Sequence, residues 1–251
     1  MSTEGTRWPE GVHLVTLDEV DSTMAEAARR VPDLTGPTWI TARRQSGGHG
    51  RQGRPWIMPE GNLAATLVFR PWATPHEAAK RSFLAACALH QALALVAPGA
   101  RLQLKWPNDV LLNGGKVAGI LLESASSGPL VDWLAIGIGV NLAASPAVAS
   151  TGGSAEPVNL RRETGVTVTP RDFLTLLADA YATQEAKLAA FGFARIREDW
   201  LAHAARLGDV IVARTARGEH VGVFETVDLD GNLCLATGEG MRIIPAADVY
   251  F

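Results

Sequence analysis

The apolar positions of the chain recur at two kinds of spacing, and these spacings predict both strands and helices. Two-residue alternation or a short apolar run predicts strands over residues 12–17, 38–42, 62–69 and 130–142. Helical periodicity, opened in three cases by a capping residue or a proline, predicts helices over residues 21–31, 75–97, 170–190 and 196–205. The pattern therefore indicates a fold in which helices and strands are mixed.

A hairpin is predicted between residues 101 and 124, where two apolar runs flank the sequence NGG at positions 113–115. A two-residue loop, whether NG or GG, would put Asp109 and Lys116 on the same sheet face because side chains alternate along a strand. A three-residue loop would put them on opposite faces. We expect the two-residue loop.

The C-terminal part of the chain changes character. From Gly208 onward, short apolar runs alternate with turn sequences and predict four or five short strands, which is typical of a small all-β barrel of SH3-like size. We therefore divide the chain into a main domain, residues 1–205, and a C-terminal β domain, residues 206–251. Residues 143–169 have little periodicity, and a loop of that length is usually a functional lid or a disordered segment.

The composition adds limits on function. With 251 residues, of which 47% are hydrophobic and 20% charged, the chain can form one large core, alone or with a small satellite domain. No apolar run suits a membrane span and the first residues lack signal-peptide features, so we expect a cytoplasmic protein without a membrane partner. The net charge of −3 gives no overall attraction to nucleic acid.

Cysteine and histidine usage points away from disulfides and structural metal. Cys87 and Cys234 lie far apart in apolar surroundings, and we expect both to be buried thiols. The six histidines include no pair at a metal-binding spacing, so no metal site built by the protein alone is predicted.

Residues 47–56 (GGHGRQGRPW) form a glycine-rich basic loop without an acidic side chain. Glycines let backbone N–H groups approach a ligand, and Arg51 and Arg54 carry paired donors that match phosphate or carboxylate oxygens. Trp56 offers a flat face on which a purine could stack. The loop has neither a Walker ending nor a GxGxxG turn, so for this stretch alone a mobile surface loop is an equally good interpretation.

A second polar group interrupts the apolar runs of the hairpin. Residues 105–109 (KWPND) and Lys116 place charged side chains where buried strands are predicted. Burying Lys and Asp without partners is unfavourable, so the alternatives are a structural Asp109–Lys116 ion pair or a ligand site.

The loop and the hairpin together strongly resemble those of biotin protein ligases, the enzymes that attach biotin to a lysine of biotin-dependent carboxylases. The family motifs, a QxxGxGRxGRxW-like loop and a KWPND…K…AGIL…E hairpin, correspond here to residues 45–56 and 105–123. The resemblance extends to DST at 21–23, to GIGVN at 137–141 and to the β tail. It implies an α+β fold: a mixed, largely antiparallel sheet flanked by helices, as in class II aminoacyl-tRNA synthetases, followed by an SH3-like barrel.

The resemblance also implies roles for individual residues. Catalysis would rest on Lys116, Arg51 and Asp109. Biotin would be bound by Ser22, Thr23, Gln45, Gly48, His49, Arg51, Lys116 and Gly119. ATP would be bound by Gly50, Arg51, Arg54, Trp56, Asn108, Lys116 and Asn141. His49 stands where many family members have arginine, and a neutral imidazole would weaken a charge contact there.

The implied reaction has two steps. The biotin carboxylate attacks the α-phosphorus of ATP, and the acceptor lysine then attacks the resulting biotinyl-5′-AMP. Mg²⁺ would enter with the nucleotide, with Asn108 and Asp109 as nearby candidate ligands. Asp109 would position or deprotonate the acceptor lysine. The glycine-rich loop and residues 143–169 would exclude water from the anhydride.

The implied partners are biotin, ATP and the biotin carboxyl carrier domain of a carboxylase, and the enzyme would be a monomer or a homodimer. No DNA partner is expected, because only 20 residues precede Asp21, too few for a helix-turn-helix module. The alternative of a lipoate or octanoate ligase or transferase of the same fold remains open. A non-catalytic adaptor built around the β tail is disfavoured, because a tail of 44 residues makes a marginal core on its own. We expect the tail to pack on the main domain and to help with ATP or the acceptor protein.

Overall fold

The computed structural model describes residues 7–146, 155–245 and 247–250, which fold into two sheets and five α-helices. The strands are β1 (His13–Val20), β2 (Thr38–Gln45), β3 (Leu63–Phe69), β4 (Leu102–Lys105), β5 (Asp109–Leu112), β6 (Gly115–Ala125), β7 (Trp133–Val140), β8 (Val210–Thr215), β9 (Gly218–Val227), β10 (Leu233–Thr237), β11 (Gly240–Ile244) and β12 (Asp248–Tyr250). The helices are α1 (Thr23–Arg30), α2 (Pro75–Ala79), α3 (Arg81–Val96), α4 (Leu160–Thr164) and α5 (Pro170–Leu201).

The first sheet holds seven strands of the described ranges in the order β1-β2-β3-β7-β6-β5-β4. Strands β1 and β2 pair in parallel, and every other neighbouring pair is antiparallel. Helices α3 and α5 pack together on one face, and the shorter α1 packs on the other. The expected α+β fold with a mixed, largely antiparallel sheet is confirmed.

Burial explains the apolar run of β3. This strand lies in the interior of the sheet with helices over both faces, so nearly all of LAATLVF is buried rather than every second residue. On the α1 side, Met24 and Ala27 pack against Ile40, Val68 and Ala135. This packing fixes the amino end of α1 beside the sheet.

The hairpin of β5 and β6 has the predicted two-residue loop. Asn113 and Gly114 both have positive φ, 53° and 91°, as a tight hairpin turn requires. Leu111 pairs with Lys116, but the register then shifts by one residue, so that Asp109 pairs with Gly119. This β-bulge was not predicted, yet it leaves Asp109 and Lys116 on one face, as the alternation argument expected.

The C-terminal sheet contains five antiparallel strands among the described residues, in the order β11-β10-β9-β8-β12, which confirms the predicted β domain. It shares a core with the main domain, because the Trp200 ring lies 5.3 Å from Phe83 and 6.5 Å from Phe224. Apolar side chains of both sheets belong to one buried cluster. The exact boundary between residues 205 and 206 stays a prediction.

The helix predictions need two corrections. The helix expected over residues 75–97 is divided at Lys80 into α2 and α3. The two helices expected over 170–190 and 196–205 form a single element, α5, interrupted at Gly192 (φ 72°, ψ 179°) and ending at Leu201. None of the helices in the described ranges has an apolar stretch that would span a membrane. Cys87 and Cys234 are buried free thiols, as predicted.

Candidate functional site

A cavity of about 530 Å³ opens between the first sheet, the glycine-rich loop and the C-terminal sheet. Its size suits a small-molecule ligand. The predicted site residues that line it are Ser22, Thr23, Gln45, His49, Gly50, Arg51, Arg54, Trp56, Asn108, Asp109, Lys116, Gly119 and Asn141. The loop and the hairpin therefore face the same space. Gly48, also predicted, does not line the cavity.

The amino end of α1 forms a polar corner of the cavity. Ser22 caps the helix, with its side chain accepting from two backbone N–H groups, and Thr23 follows it. Gln45 Oε1 accepts hydrogen bonds from Thr23 N at 2.9 Å and from Thr23 Oγ1 at 3.2 Å. Thr66 Oγ1 in turn donates to Thr23 Oγ1 at 2.9 Å. The network fixes the orientation of each polar group before a ligand binds.

The absence of a side chain at Gly48 allows the Gln45 amide to lie at this corner. A Cβ atom at position 48 would lie 2.0 Å from Gln45 Nε2 and 2.8 Å from the Trp56 carbonyl oxygen. Only a glycine therefore allows the Gln45 amide to lie against the loop backbone.

The glycine-rich loop folds back on itself as a narrow hairpin. Trp56 N donates to the Gly48 carbonyl at 2.9 Å, which closes the base of the loop. At its tip the chain reverses with positive φ at Gln52 (57°) and Gly53 (69°). This reversal places the two loop arginines near the tip and returns Trp56 to the cavity.

Two strand glycines make room for the Trp56 ring. A Cβ atom on Gly139 of β7 would lie 2.3 to 2.5 Å from ring atoms of Trp56, and one on Gly119 of β6 would lie 3.2 Å from the ring. Gly119 and Gly139 are partners across the two strands. Lys116 Nζ lies 5.6 Å from the centroid of the same ring. The ring thus packs flat against bare backbone, next to an ammonium group.

Lys116 and Asp109 form an ion pair inside the cavity. Lys116 Nζ lies 2.6 Å from Asp109 Oδ1, and the two side chains are 29% and 17% exposed. The Lys116 ammonium group therefore balances the charge of this largely buried carboxylate. Lys105 faces Asp109 across β4 and β5. Burial lowers the pKa of Lys105, and the nearby Asp109 carboxylate partly offsets this effect.

Asn108 and Asn141 are held by neighbouring strands and loops. Asn108 Nδ2 donates to the Ile120 carbonyl at 2.5 Å. Asn141 is 2% exposed, and its Oδ1 accepts from Asn62 Nδ2 at 3.3 Å. Both amides are therefore fixed where they reach the cavity.

One wall of the cavity comes from the C-terminal sheet; we expected this sheet to pack on the main domain, but the sequence did not predict which of its residues line the cavity. Its residues are Arg214, Asp248, Val249 and Tyr250. The Arg54 guanidinium binds the Asp248 carboxylate, and this hydrogen bond raises the pKa of Arg54. Arg51 Nη1 donates to the Ala247 carbonyl at 3.2 Å and lies 3.6 Å from Asp248 Oδ1. No local pattern could have linked residues almost 200 positions apart.

His49 pairs with Glu123, the last residue of the hairpin motif. Its Nε2 lies 2.9 Å from Glu123 Oε1, and both side chains are partly exposed. The pair connects the glycine-rich loop to β6. A role for Glu123 as a partner of the loop was not predicted.

The segment expected to be a lid lies partly outside the described residues, which omit 147–154. After this gap the chain runs beside β6, because Lys116 N donates to the Glu156 carbonyl at 2.7 Å and Val158 N donates to the Lys116 carbonyl at 3.0 Å. Pro146 and Pro157 line the cavity on either side of the gap. Closure of this segment over a ligand stays a prediction.

Comparison with known proteins adds two family matches. Residues 16–141 match the Biotin/lipoate A/B protein ligase family, and residues 208–251 match the Biotin protein ligase C terminal domain. The two matches cover the strands, the loop and the C-terminal wall that form the cavity.

Individual relatives cover nearly the whole chain. It is 54% identical to biotin–[acetyl-CoA-carboxylase] ligase of Paracoccus denitrificans over 94% of this chain and 99% of the relative. It is 30% identical to the bifunctional ligase/repressor BirA of Bacillus subtilis over 95% of this chain and 74% of that protein. The biotin protein ligase from Aquifex aeolicus, solved in complex with biotin and ATP, has a similar fold: TM-score 0.80, 24% identity, covering 94% of this chain and 97% of that one.

Proposed function

Because the chain belongs to the biotin protein ligase family, we propose that it uses ATP to form biotinyl-5′-AMP and then transfers biotin to a lysine of a biotin carboxyl carrier domain. The observation that carries this proposal is the single cavity that joins the α1 corner, the glycine-rich loop and Lys116. Between the two activities of the matched family, the 54% identical relative favours the biotin branch over a lipoate or octanoate ligase.

Biotin would lie at the α1 corner. Its ureido ring needs both donors and acceptors, and Ser22, Thr23 and Gln45 supply them from a rigid network. The carboxylate end would then point along the cavity towards Lys116, past His49 and Gly119. Gly48 would contribute indirectly, through the position of the Gln45 amide.

ATP would occupy the end of the cavity near the loop tip. The Trp56 ring offers a stacking face for adenine, and Asn141 offers a fixed amide. Arg51 and Arg54 would bind phosphate oxygens through their paired donors, and the Gly50 backbone lines the same space.

In the first step, a biotin carboxylate oxygen attacks the α-phosphorus and pyrophosphate leaves. Negative charge grows on the phosphoryl oxygens, and ammonium and guanidinium groups held in place stabilise it. Lys116 is best placed for this role because its Nζ is fixed between Asp109 and the Trp56 ring. Arg51 would serve the phosphate side.

In the second step, the acceptor lysine attacks the acyl carbon of the mixed anhydride and AMP leaves. Asp109 lies in the cavity beside Lys116, with Oδ1 2.6 Å from Lys116 Nζ. An incoming ammonium group would be attracted to this carboxylate, so Asp109 would orient the acceptor lysine and receive its proton.

Mg²⁺ would enter with the nucleotide. The described residues contain no group of three or more His, Cys, Asp or Glu side chains suited to a metal ion. Asn108 and Asp109 carry oxygens of the kind Mg²⁺ prefers, but Asp109 already faces the Lys116 ammonium group, so phosphate oxygens and water would supply most of the ligands. The ion would neutralise phosphate charge.

The acceptor and the cellular setting follow from the same proposal. We expect the acceptor to be the carrier domain of a carboxylase and the enzyme to be cytoplasmic, in keeping with its free buried thiols. Whether it acts as a monomer or as a homodimer stays a prediction to be measured in solution.

Mass spectrometry of retained adenylate tests the proposal directly. The enzyme is incubated with MgATP and either biotin, lipoate or octanoate, and we expect biotinyl-5′-AMP alone. Lys116→Ala should slow adenylate formation by about 100- to 1,000-fold, because the loss of one such donor costs about 2.7 to 4 kcal/mol. Asp109→Ala should slow transfer to a carrier domain more than it slows adenylation.

Lys187→Ala is the matched control. Lys187 pairs with Asp199 at 2.5 Å with side-chain exposures of 27% and 24%, close to those of the Lys116 pair, but outside the cavity. It should retain both half-reactions. Adenylate formation by Lys116→Ala at the rate of this control would refute the proposed role of Lys116.

A further inference from the structure

The C-terminal strand β12 reaches the tip of the glycine-rich loop through one carboxylate. Asp248 binds the Arg54 guanidinium and lies 3.6 Å from Arg51 Nη1, which also donates to the Ala247 carbonyl. The Asp248 side chain is 18% exposed, whereas that of Arg54 is 57% exposed. The carboxylate is thus more buried than the Arg54 side chain, and the guanidinium groups of both arginines extend towards it.

Asp248 also lies within a cluster of positive charge. Its hydrogen bond raises the pKa of Arg54, and its charge partly offsets the lowering of the Lys105 pKa by burial. Asp109, the other carboxylate that lines the cavity, is paired with Lys116. Among the described residues that line the cavity, Asp248 is therefore the carboxylate paired with the loop arginines.

A guanidinium offers a limited set of planar N–H donors, and carboxylate and phosphate use them in the same paired geometry. The donors of Arg54 that bind Asp248 cannot bind a nucleotide phosphate at the same time. A carboxylate left beside a polyphosphate is repelled by it. Nucleotide and Asp248 therefore compete for the Nη2 side of the Arg54 guanidinium and for the charge of Arg51.

We propose that Asp248 is a positioning residue that holds Arg51 and Arg54 against the C-terminal sheet and must yield them to the phosphates of ATP. This inference rests on the proposed function, because it takes ATP as the ligand of the loop arginines. It makes Asp248 a determinant of apparent ATP affinity and links nucleotide binding to the contact between loop and C-terminal domain.

The test is the steady-state KM of Asp248→Asn for each substrate in the adenylation reaction. Asparagine keeps the size of the side chain and removes its charge, so the KM for ATP should fall by about three- to tenfold while the KM for biotin stays unchanged. Asp248→Glu keeps the charge and should behave like the wild type. Glu239→Gln is the matched control: it removes one charge from an exposed pair with Arg242 in the same domain and should leave the KM for ATP unchanged.

Arg54→Ala distinguishes a failure of the proposed nucleotide site from a failure of the proposed competition by Asp248. A rise in KM for ATP in Arg54→Ala supports the nucleotide site, and Asp248→Asn should then have a smaller effect in the Arg54→Ala background, because only Arg51 remains beside Asp248. If Arg54→Ala leaves the KM for ATP unchanged, the nucleotide assignment fails. If Arg54→Ala raises it but Asp248→Asn leaves it unchanged or raises it, competition is refuted. Asp248→Ser provides the same charge removal if the asparagine variant does not fold.

Discussion

The packing of Trp56 on bare strand backbone leads to a sharp prediction for Gly139→Ala. The new Cβ would meet three ring atoms of Trp56 at 2.3, 2.4 and 2.5 Å, distances at which the ring must leave its position. Gly139 lies within the regular pairing of β6 and β7 and does not have positive φ, so alanine suits the backbone itself. The substitution therefore acts on the ring and not on the strand.

The magnitude follows from what the ring is proposed to do. Stacking of a base on an aromatic side chain contributes about 1 to 3 kcal/mol, so displacement of the Trp56 ring should raise the Kd for ATP by about 5- to 150-fold. Isothermal titration calorimetry with ATP measures this change directly, and titration with biotin should show a much smaller one. Gly119→Ala, whose Cβ would lie 3.2 Å from the same ring and 3.3 Å from Lys116 Cε, should give a weaker effect on ATP binding.

A double-mutant cycle tests the reasoning. If Gly139→Ala acts through the ring, it should have no effect on ATP binding in a Trp56→Ala background. Additive losses in the double variant would refute the mechanism, because they would show that the glycine and the ring contribute independently.

Two further predictions concern the α1 corner and acid stability. Gly48→Ala should displace the Gln45 amide, which would lie 2.0 Å from the new Cβ, and raise the KM for biotin by about tenfold. Gly47→Ala, whose nearest contact would be at 3.4 Å, should leave the KM for biotin unchanged. Equal effects of the two substitutions would contradict this prediction. Burial and the neighbouring His203 lower the pKa of His90 from 6.5 to about 4. Between these two pH values His90 is protonated in the unfolded chain but not in the folded chain, so the folded state loses stability as the pH falls below 6.5. Chemical unfolding should show that the free energy of unfolding is about 1 kcal/mol lower at pH 5 than at pH 7.5, after discounting for partial exposure. The His90→Gln variant should not show this decrease. An equal decrease in both proteins would exclude His90 as its source.

Much of the fold was predictable because its signals are local. The turn at Asn113 and Gly114 is encoded by the two residues that form it, and the alternation of side chains then places Asp109 beside Lys116. The N-cap at Ser22 is likewise predicted by the residues next to it in the sequence. The shift of register before Gly119 was missed, because a bulge depends on how neighbouring strands fit and not on the hairpin sequence alone.

The candidate site was predictable only where its residues lie in the two motifs. Glu123 lies in the hairpin motif, but its pairing with His49 joins two segments 74 positions apart. Asp248 and Arg214 enter the cavity because the C-terminal sheet packs beside the loop, a tertiary arrangement without a periodic signal. Tertiary docking, and not local propensity, decides such positions.

The aromatic seam formed by Phe83, Trp200 and Phe224 has a practical consequence for dissecting this enzyme. A truncated variant that ends before residue 206 would expose Trp200 and its neighbours to solvent. A loss of activity in that variant could then result from misfolding as readily as from a missing substrate contact. The contribution of the tail to chemistry is therefore best measured with single side-chain changes on its cavity face, which leave the seam intact.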